Sequence, residues 1–162
     1  MRIAGRSRCE AGGKERVQLR ALRRIADDLP PGAVDRPAEI TGNPIVQVHI
    51  TTTFVGRIRA WGLHQRSSDR LFVVSGLVKI VVYDGRRDSP TFGVINEFTV
   101  SEKNPGLLTI APNLYHGWKN IGVSEAIIIN MPDRMYDHTS PDALDLPYDS
   151  EAAQRIVPYR FA

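Results

Sequence analysis

The chain has a single cysteine, Cys9, among its 162 residues, so an intramolecular disulfide is excluded. A disulfide-stabilised secreted scaffold is therefore ruled out, and the cysteine usage is compatible with a reducing compartment. No apolar run approaches the roughly 20 residues that a membrane-spanning helix needs. The Arg-rich N-terminus also lacks the apolar core of a signal peptide. These absences predict a cytoplasmic protein with no membrane partner.

Positive charge is in small excess. The net charge is +3 and the isoelectric point is near 9.2, with much of the excess in the first 24 residues. This balance favours an anionic small-molecule ligand and falls short of what a nucleic-acid reader needs. A Walker loop, a dinucleotide-binding glycine motif and a Ser–His–Asp order are all missing, so the corresponding enzyme classes are not indicated.

The length fits one domain with a substantial core, with 42% hydrophobic and 24% charged residues. Residues 1–16 are polar and rich in Gly and Arg, and we expect a disordered leader there, followed by a single domain over 17–162. Apolar residues alternate with polar ones from Ile45 onward. Further strand signals recur at the spacing of a sandwich or barrel, at residues 71–74, 78–83, 92–100, 107–110 and 126–130. The pattern predicts an all-β sandwich or jelly roll with no helix after residue 30 and an irregular tail over 132–147.

Several motifs in this β-rich block resemble one known family. They are residues 56–64 (GRIRAWGLH), 71–76 (LFVVSG), 81–86 (VVYDGR), 89–93 (SPTFG) and 116–118 (HGW). Together they resemble the dTDP-4-dehydrorhamnose 3,5-epimerase family over roughly residues 17–136. The resemblance implies a cupin jelly roll (a double-stranded β-helix) that forms a homodimer. It also implies a nucleotide-linked 4-keto-6-deoxy sugar, or a related anionic carbohydrate, bound inside the barrel.

The resemblance also implies which residues bind substrate. The family's binding-strand glutamine matches Gln47, and its asparagine two residues later is replaced by His49. The family's pyrophosphate-binding arginine matches Arg59, whose fork-shaped guanidinium suits bidentate phosphate recognition. The family's lysine falls near residues 69–70, so Arg70 is the candidate there.

For catalysis, the resemblance implies that His116 and Tyr136 match the family's His-Gly histidine and its catalytic tyrosine. Aligned without gaps from Arg59, Gly62 occupies the position of the family's catalytic histidine. A glycine accepts no proton, so this alignment predicts a non-standard active site. The related sugar 3,4-ketoisomerases carry histidines at the equivalents of both Gly62 and His64.

Epimerisation beside a ketone needs a base, an acid and a group that stabilises the enolate oxygen. His64 lies two residues after Gly62, so it points to the same face of an extended strand and is the candidate base. Tyr136 is the candidate acid, and Arg70 or His116 is expected at the oxyanion.

No cofactor and no metal are expected. The alternative is a metal held by His64, His116 and His49, as in many cupins. The usual cupin metal motif, however, has His-x-His and a nearby Glu. Here one of those histidines is Gly62, and the acid is at best Asp69.

Two functions follow. The first is an isomerase of the carbohydrate epimerase or ketoisomerase type. The second is a non-catalytic sugar-nucleotide-binding or regulatory cupin that has kept the pocket and lost the chemistry. Trp61 and Trp118 stay open between packing of the barrel and stacking on a nucleotide base.

Overall fold

The computed structural model describes residues 18–21 and 44–162 of the chain. The expected leader at residues 1–16 lies outside the described residues. Within them the chain forms ten strands and one short helix. In chain order these are β1 Gln18–Ala21, β2 His49–Thr53, β3 Ile58–His64, β4 Asp69–Ser75, β5 Leu77–Tyr83, β6 Ile95–Ser101, β7 Gly106–Ile110, β8 Tyr115–Asn120, β9 Ala126–Asn130, β10 Ala143–Asp145 and α1 Glu151–Ile156.

Two five-stranded sheets pack face to face, with strand orders β1-β7-β4-β9-β2 and β10-β3-β8-β5-β6. All the strand pairs are antiparallel. The chain crosses from one sheet to the other between β3 and β4 and again between β4 and β5. The predicted all-β class is thus confirmed.

The core lies between the two sheets and follows from period-2 alternation in β4 and β5. Leu71 and Val73 come from one sheet, and Val78, Ile80 and Val82 from the other. All five are at most 2% exposed. Trp118 of β8 packs in the same cluster, and its indole N–H donates to Oγ1 of Thr53 at 3.0 Å. Trp118 is therefore a packing residue with a satisfied polar end.

Trp61 points to the outer face of its sheet, away from the core between the sheets, and forms a second apolar cluster there. It is 2% exposed and packs with Ala153 of α1 and with Val157. Its ring also lies 5.3 Å from that of Phe161, between centroids. The C-terminal segment thus covers the outer face of this sheet, and Trp61 serves packing.

The structure differs from the sequence prediction in several elements. The strand predicted over 92–100 begins only at Ile95, because residues 91–93 form a turn. The predicted strand from Ile45 begins only at His49, and Val48 and Ile50 are 57% and 69% exposed. Strand β10 interrupts the tail expected to be irregular, and α1 was not predicted. The helix begins at an N-cap, Ser150, whose Oγ accepts from the Ala153 N–H at 3.1 Å. Among the described residues, no helix is both long and apolar enough to cross a bilayer.

Candidate functional site

Three side chains from both sheets meet at one end of the sandwich. His64 ends β3 and His116 lies near the start of β8, which are neighbours in one sheet. Asp69 begins β4 in the other sheet. Its Oδ2 lies 3.3 Å from Nε2 of His64 and 3.1 Å from Nε2 of His116. One carboxylate oxygen therefore joins two imidazoles across the sheets.

Asp69 is buried, with 2% of its surface exposed. Its second oxygen, Oδ1, accepts from the side-chain amide of Asn130 at 2.7 Å. Burial alone would raise the pKa of Asp69, but the hydrogen bond and charge of His116, the charge of His64 and the Asn130 amide together lower it. Asp69 is therefore a carboxylate fixed at both oxygens.

His116 is a buried imidazole with an acceptor on each ring nitrogen. Its Nδ1 lies 3.1 Å from the carbonyl oxygen of Leu114, and its Nε2 faces Asp69. A carbonyl and a carboxylate can only accept, so this geometry favours a proton on both ring nitrogens, which is the imidazolium form. Burial opposes this charge, yet the hydrogen bond to Asp69 and its negative charge raise the pKa of His116. The site thus favours a buried cation paired with a buried anion.

His64 is the more accessible histidine, with 24% of its side chain exposed. Its ring stacks beside that of His116, with centroids 5.9 Å apart and planes 22° apart. In the part of the chain that the structure describes, its polar contact is the one that Nε2 makes with Asp69. When Nε2 carries the proton, Nδ1 has the lone pair of a base and points away from the carboxylate.

Gly62 packs closely against His116. The two residues lie directly opposite each other on β3 and β8, after a bulge between Ala60 and Gly62. A β-carbon on Gly62 would lie 3.3 Å from Nε2 of His116 and 3.8 Å from Oδ1 of Asp145 on β10. Gly62, His64 and His116 therefore share one face, as predicted for Gly62 and His64.

The loop between His64 and Asp69 is held by two carboxylates of the C-terminal part of the chain. Asp142 accepts from the backbone N–H groups of Arg66 and Ser67, at 3.0 and 2.9 Å to its nearer oxygens. Asp133 accepts from the backbone N–H of Ser68 at 2.9 Å. These bonds fix the chain crossing that places His64 against Asp69.

Two of the predicted binding residues lie on the inner faces of the two sheets, which the histidines also line. His49 is directly opposite Asn130 on the β2–β9 pair, and directly opposite residues share a face. Arg59 is opposite Trp118, and its guanidinium carbon lies 5.7 Å from the centre of that ring. Both side chains are exposed.

Two further predicted residues contact each other away from the three-residue cluster. The side-chain oxygen of Gln47 accepts from the backbone N–H of Tyr136 at 2.9 Å. The Tyr136 ring is 40% exposed and packs edge-on against His138, with centroids 4.8 Å apart. The structure therefore joins Gln47 to Tyr136 through the main chain.

Arg70 is not brought to the cluster. It follows Asp69 on β4, and successive residues of a strand point to opposite faces. Its side chain is buried and donates to the carbonyl oxygens of Pro44 and Met131, at 3.4 and 3.3 Å. Its position therefore does not support the expected role of Arg70 at the oxyanion, whereas His116 belongs to the cluster.

Sequence reasoning missed Asp69 as the partner of both histidines. The signal in the sequence was an acidic residue at the first position of an apolar strand. A carboxylate is costly to bury unless it has a specific partner, so such a residue indicates that a partner is present.

Comparison with known proteins identifies the family of this chain. Residues 36–152, more than half of the chain, match the profile of dTDP-4-dehydrorhamnose 3,5-epimerase. The probable low-salt glycan biosynthesis epimerase of Haloferax volcanii is 34% identical over 102 residues, which are 62% of this chain and 65% of that protein. The match thus spans less than two thirds of the Haloferax protein. The spore coat polysaccharide biosynthesis protein SpsL of Bacillus subtilis is 31% identical over 105 residues, 65% of this chain and 70% of that protein.

A solved structure has the same architecture. The dTDP sugar isomerase of Desulfovibrio desulfuricans superposes with a TM-score of 0.75 at 25% sequence identity, covering 89% of each chain. The two packed antiparallel sheets are therefore a cupin-type jelly roll, as the sequence predicted. Because the family profile matches residues 36–152, which are most of the chain, this chain belongs to the dTDP-4-dehydrorhamnose 3,5-epimerase family.

Proposed function

We propose that this protein is an isomerase that moves a proton at a carbon next to the ketone of a nucleotide-linked 4-keto-6-deoxy sugar. The observation that carries the proposal is the contact of His64 with the buried Asp69, beside a cationic His116, in a chain of this family. This arrangement supplies a base and a fixed positive charge on one face of the site. Both are needed to form an enolate.

His64 is the base. Asp69 faces Nε2, which selects the tautomer with a proton on that nitrogen and a lone pair on Nδ1. When Nδ1 takes a proton from the sugar carbon, the carboxylate stabilises the resulting imidazolium. Asp69 contacts no substrate in this scheme and is a positioning residue. Gly62 supplies no proton acceptor, so the base function falls to His64.

His116 stabilises the enolate. As the proton leaves carbon, negative charge develops on the ketone oxygen, and a preorganised buried cation lowers the energy of that charge. Asp69 and the Leu114 carbonyl hold the imidazolium in place before substrate binds. The arrangement therefore costs no reorganisation during the reaction.

Tyr136 returns a proton to the sugar from the opposite side, and Gln47 orders the chain that carries it. Arg59 and His49 lie on the inner faces of the two sheets and are exposed, so they are available to the diphosphate. A guanidinium suits the phosphate oxygens because it donates two parallel hydrogen bonds.

The protein acts as a cytoplasmic homodimer in this proposal. Strand β2 is at the end of its sheet, and the apolar side chains of Ile50 and Phe54 are 69% and 66% exposed there. Such an edge offers both unpaired backbone groups and apolar area to a second copy.

The test is solvent-proton exchange. The protein is incubated with dTDP-4-keto-6-deoxyglucose in D₂O, and deuterium at C3 and C5 is followed by NMR. We expect uptake by the unaltered protein and a loss of about 100-fold or more in His64→Gln, since general-base catalysis contributes roughly 10²–10⁴-fold. Binding of dTDP, measured by calorimetry, should be nearly unchanged in that variant.

Glu125→Gln is the matched control. Glu125 is exposed and lies directly before Ala126, at the opposite end of β9 from Asn130. It should exchange at the rate of the unaltered protein. An absence of uptake at high protein concentration, with dTDP-sugar binding retained, would instead establish the non-catalytic binding protein. Full exchange by His64→Gln would remove His64 from the mechanism.

A further inference from the structure

Three potential metal ligands converge at the junction of the two sheets. His64, Asp69 and His116 each offer one ligand atom, and these three atoms lie within 4.8 Å of one another. Two imidazole nitrogens and one carboxylate oxygen form a ligand set typical of zinc and of other divalent transition ions.

The spacing suits a single ion. Zinc binds nitrogen and carboxylate oxygen at about 2.0–2.2 Å, which separates neighbouring ligands of a tetrahedron by roughly 3.3–3.6 Å. The Asp69 oxygen is 3.3 Å from one nitrogen and 3.1 Å from the other. Two of the three ligand separations therefore need to change by only a few tenths of an ångström.

Each buried ligand is already oriented by an outer hydrogen bond. Nδ1 of His116 donates to the Leu114 carbonyl, so Nε2 is the atom presented to the cluster. The Asn130 amide holds Oδ1 of Asp69, so Oδ2 is the atom presented. Metal-binding histidines and carboxylates have this kind of support, and its loss typically weakens binding 10–100-fold.

Gly62 borders the cluster from β3. The site of its missing β-carbon lies 3.3 Å from Nε2 of His116 and 3.8 Å from Oδ1 of Asp145 on β10. A larger residue at this position would press on the ligand atom of His116, so the glycine leaves that imidazole in place.

We propose that His64, Asp69 and His116 bind one divalent transition ion, with zinc as the representative, in place of the hydrogen bonds that now join them. On binding, Nε2 of His116 releases its proton to solvent, and the proton of His64 moves to Nδ1. The ion and the proposed base then exclude each other, because a protonated Nδ1 accepts no proton from substrate. This inference goes beyond the proposed isomerase activity and does not depend on it.

The test measures metal binding without substrate. Untagged protein is stripped with a chelator, dialysed against zinc and assayed for bound metal; cobalt is then substituted and its visible d–d absorption recorded. We expect one ion per chain, and an affinity at least tenfold lower in His64→Gln and in Asp69→Asn. His49→Gln and His138→Gln, which alter the histidines outside the cluster, should bind as the unaltered protein does.

Circular dichroism and a thermal melt show whether each variant is folded. His64→Gln decides the question, because the His64 side chain is partly exposed and its replacement leaves the Asp69–His116 pair in place. A protein that binds no zinc at one ion per chain overturns the proposal, and so does a folded His64→Gln with unaltered affinity. If the isomerase activity also holds, zinc should suppress deuterium uptake and a chelator should restore it. If the isomerase activity is absent, the number of ions bound per chain and the cobalt spectrum still test the metal site.

Discussion

Gly62 and His116 face each other across β3 and β8, and a β-carbon on Gly62 would come within 3.3 Å of Nε2 of His116. A side chain there would press on the ring of His116, because 3.3 Å is shorter than an ordinary van der Waals contact. The backbone of Gly62 is not in the left-handed region, so the constraint on this position is space.

Gly62→Val should consequently reduce deuterium exchange into the keto-sugar at least tenfold. Its methyl groups would occupy the space between His116 and Asp145. A β-carbon alone would lie 3.3 Å from Nε2 of His116, so valine crowds that ring and the urea-unfolding midpoint should fall as well. Gly62→Ala serves as the graded control, with an intermediate loss of exchange. Unaltered exchange in Gly62→Val would show that substrate reaches His116 from another side.

Much of this fold was predictable because its central strands carry uninterrupted apolar alternation. Residues 71–74, 78–83 and 126–130 were predicted as strands, and the structure has strands there. β8 contributed no such signal, because His116 and Gly117 interrupt its apolar pattern. Its conformation is enforced by pairing with β3 on one side and β5 on the other. Pairing of this kind is a tertiary effect that a local pattern does not contain.

The site was predictable in part for a similar reason. Strand periodicity placed Gly62 and His64 on one face, and the His-Gly-aromatic motif identified His116. The role of Asp69 depends on a chain crossing between sheets, which a four-residue loop held by Asp133 and Asp142 determines. The local sequence pattern does not predict that crossing.

Gly117 allows β3 and β8 to approach closely beside the site. A β-carbon there would lie 2.2 Å from Cβ of Ala60 and 2.9 Å from the carbonyl oxygen of Arg59. Gly117→Ala should therefore lower the free energy of unfolding by about 1–3 kcal/mol, the usual cost of overpacking. Urea unfolding followed by circular dichroism measures this change.

A second substitution separates crowding from other effects. Ala60→Gly removes one of the clashing atoms, so Gly117→Ala should cost less in that background than in the unaltered chain. Equal costs in the two backgrounds would mean that contact with Ala60 is not the cause.

Asp84 organises the turn that contains the Ser-Pro-Thr-Phe-Gly motif. Its carboxylate accepts from the guanidinium of Arg86 at 3.0 and 2.9 Å and from the hydroxyls of Ser89 and Thr91 at 2.7 and 2.6 Å. Burial alone would raise the pKa of Asp84, but these donors lower it well below its ordinary value of 3.8. The charged form is therefore the one that the fold stabilises.

The stability that Asp84 contributes should be complete above about pH 5 and be lost progressively as the pH falls through 3.8 towards the lower pKa of the folded state. At pH 7, Asp84→Asn should lower the free energy of unfolding by about 1–3 kcal/mol, the value of hydrogen bonds to a charged group. Below pH 4 the difference from the unaltered protein should shrink. Urea titrations across this range test it, with Asp88→Asn, an exposed acid of the same turn, as the control. A difference that is constant with pH would contradict the assignment.

Asp142 fixes the loop that carries the chain from His64 to Asp69. Its two oxygens accept from the backbone N–H groups of Arg66 and Ser67 and from the Arg66 guanidinium. Asp142→Ala should therefore expose these two amides to solvent exchange. We expect faster hydrogen–deuterium exchange at Arg66 and Ser67 by NMR, with the central strands β4 and β5 unchanged.

Because the same loop sets the distance between His64 and Asp69, Asp142→Ala should also reduce proton exchange into the keto-sugar. Asp137→Ala is the matched control: its carboxylate accepts from the N–H and hydroxyl of Thr139 in the same C-terminal segment, outside the loop at residues 65–68. That control should leave the amides of Arg66 and Ser67 protected. If Asp142→Ala speeds amide exchange but leaves activity intact, Asp133 alone positions the loop, since its hydrogen bond to Ser68 remains.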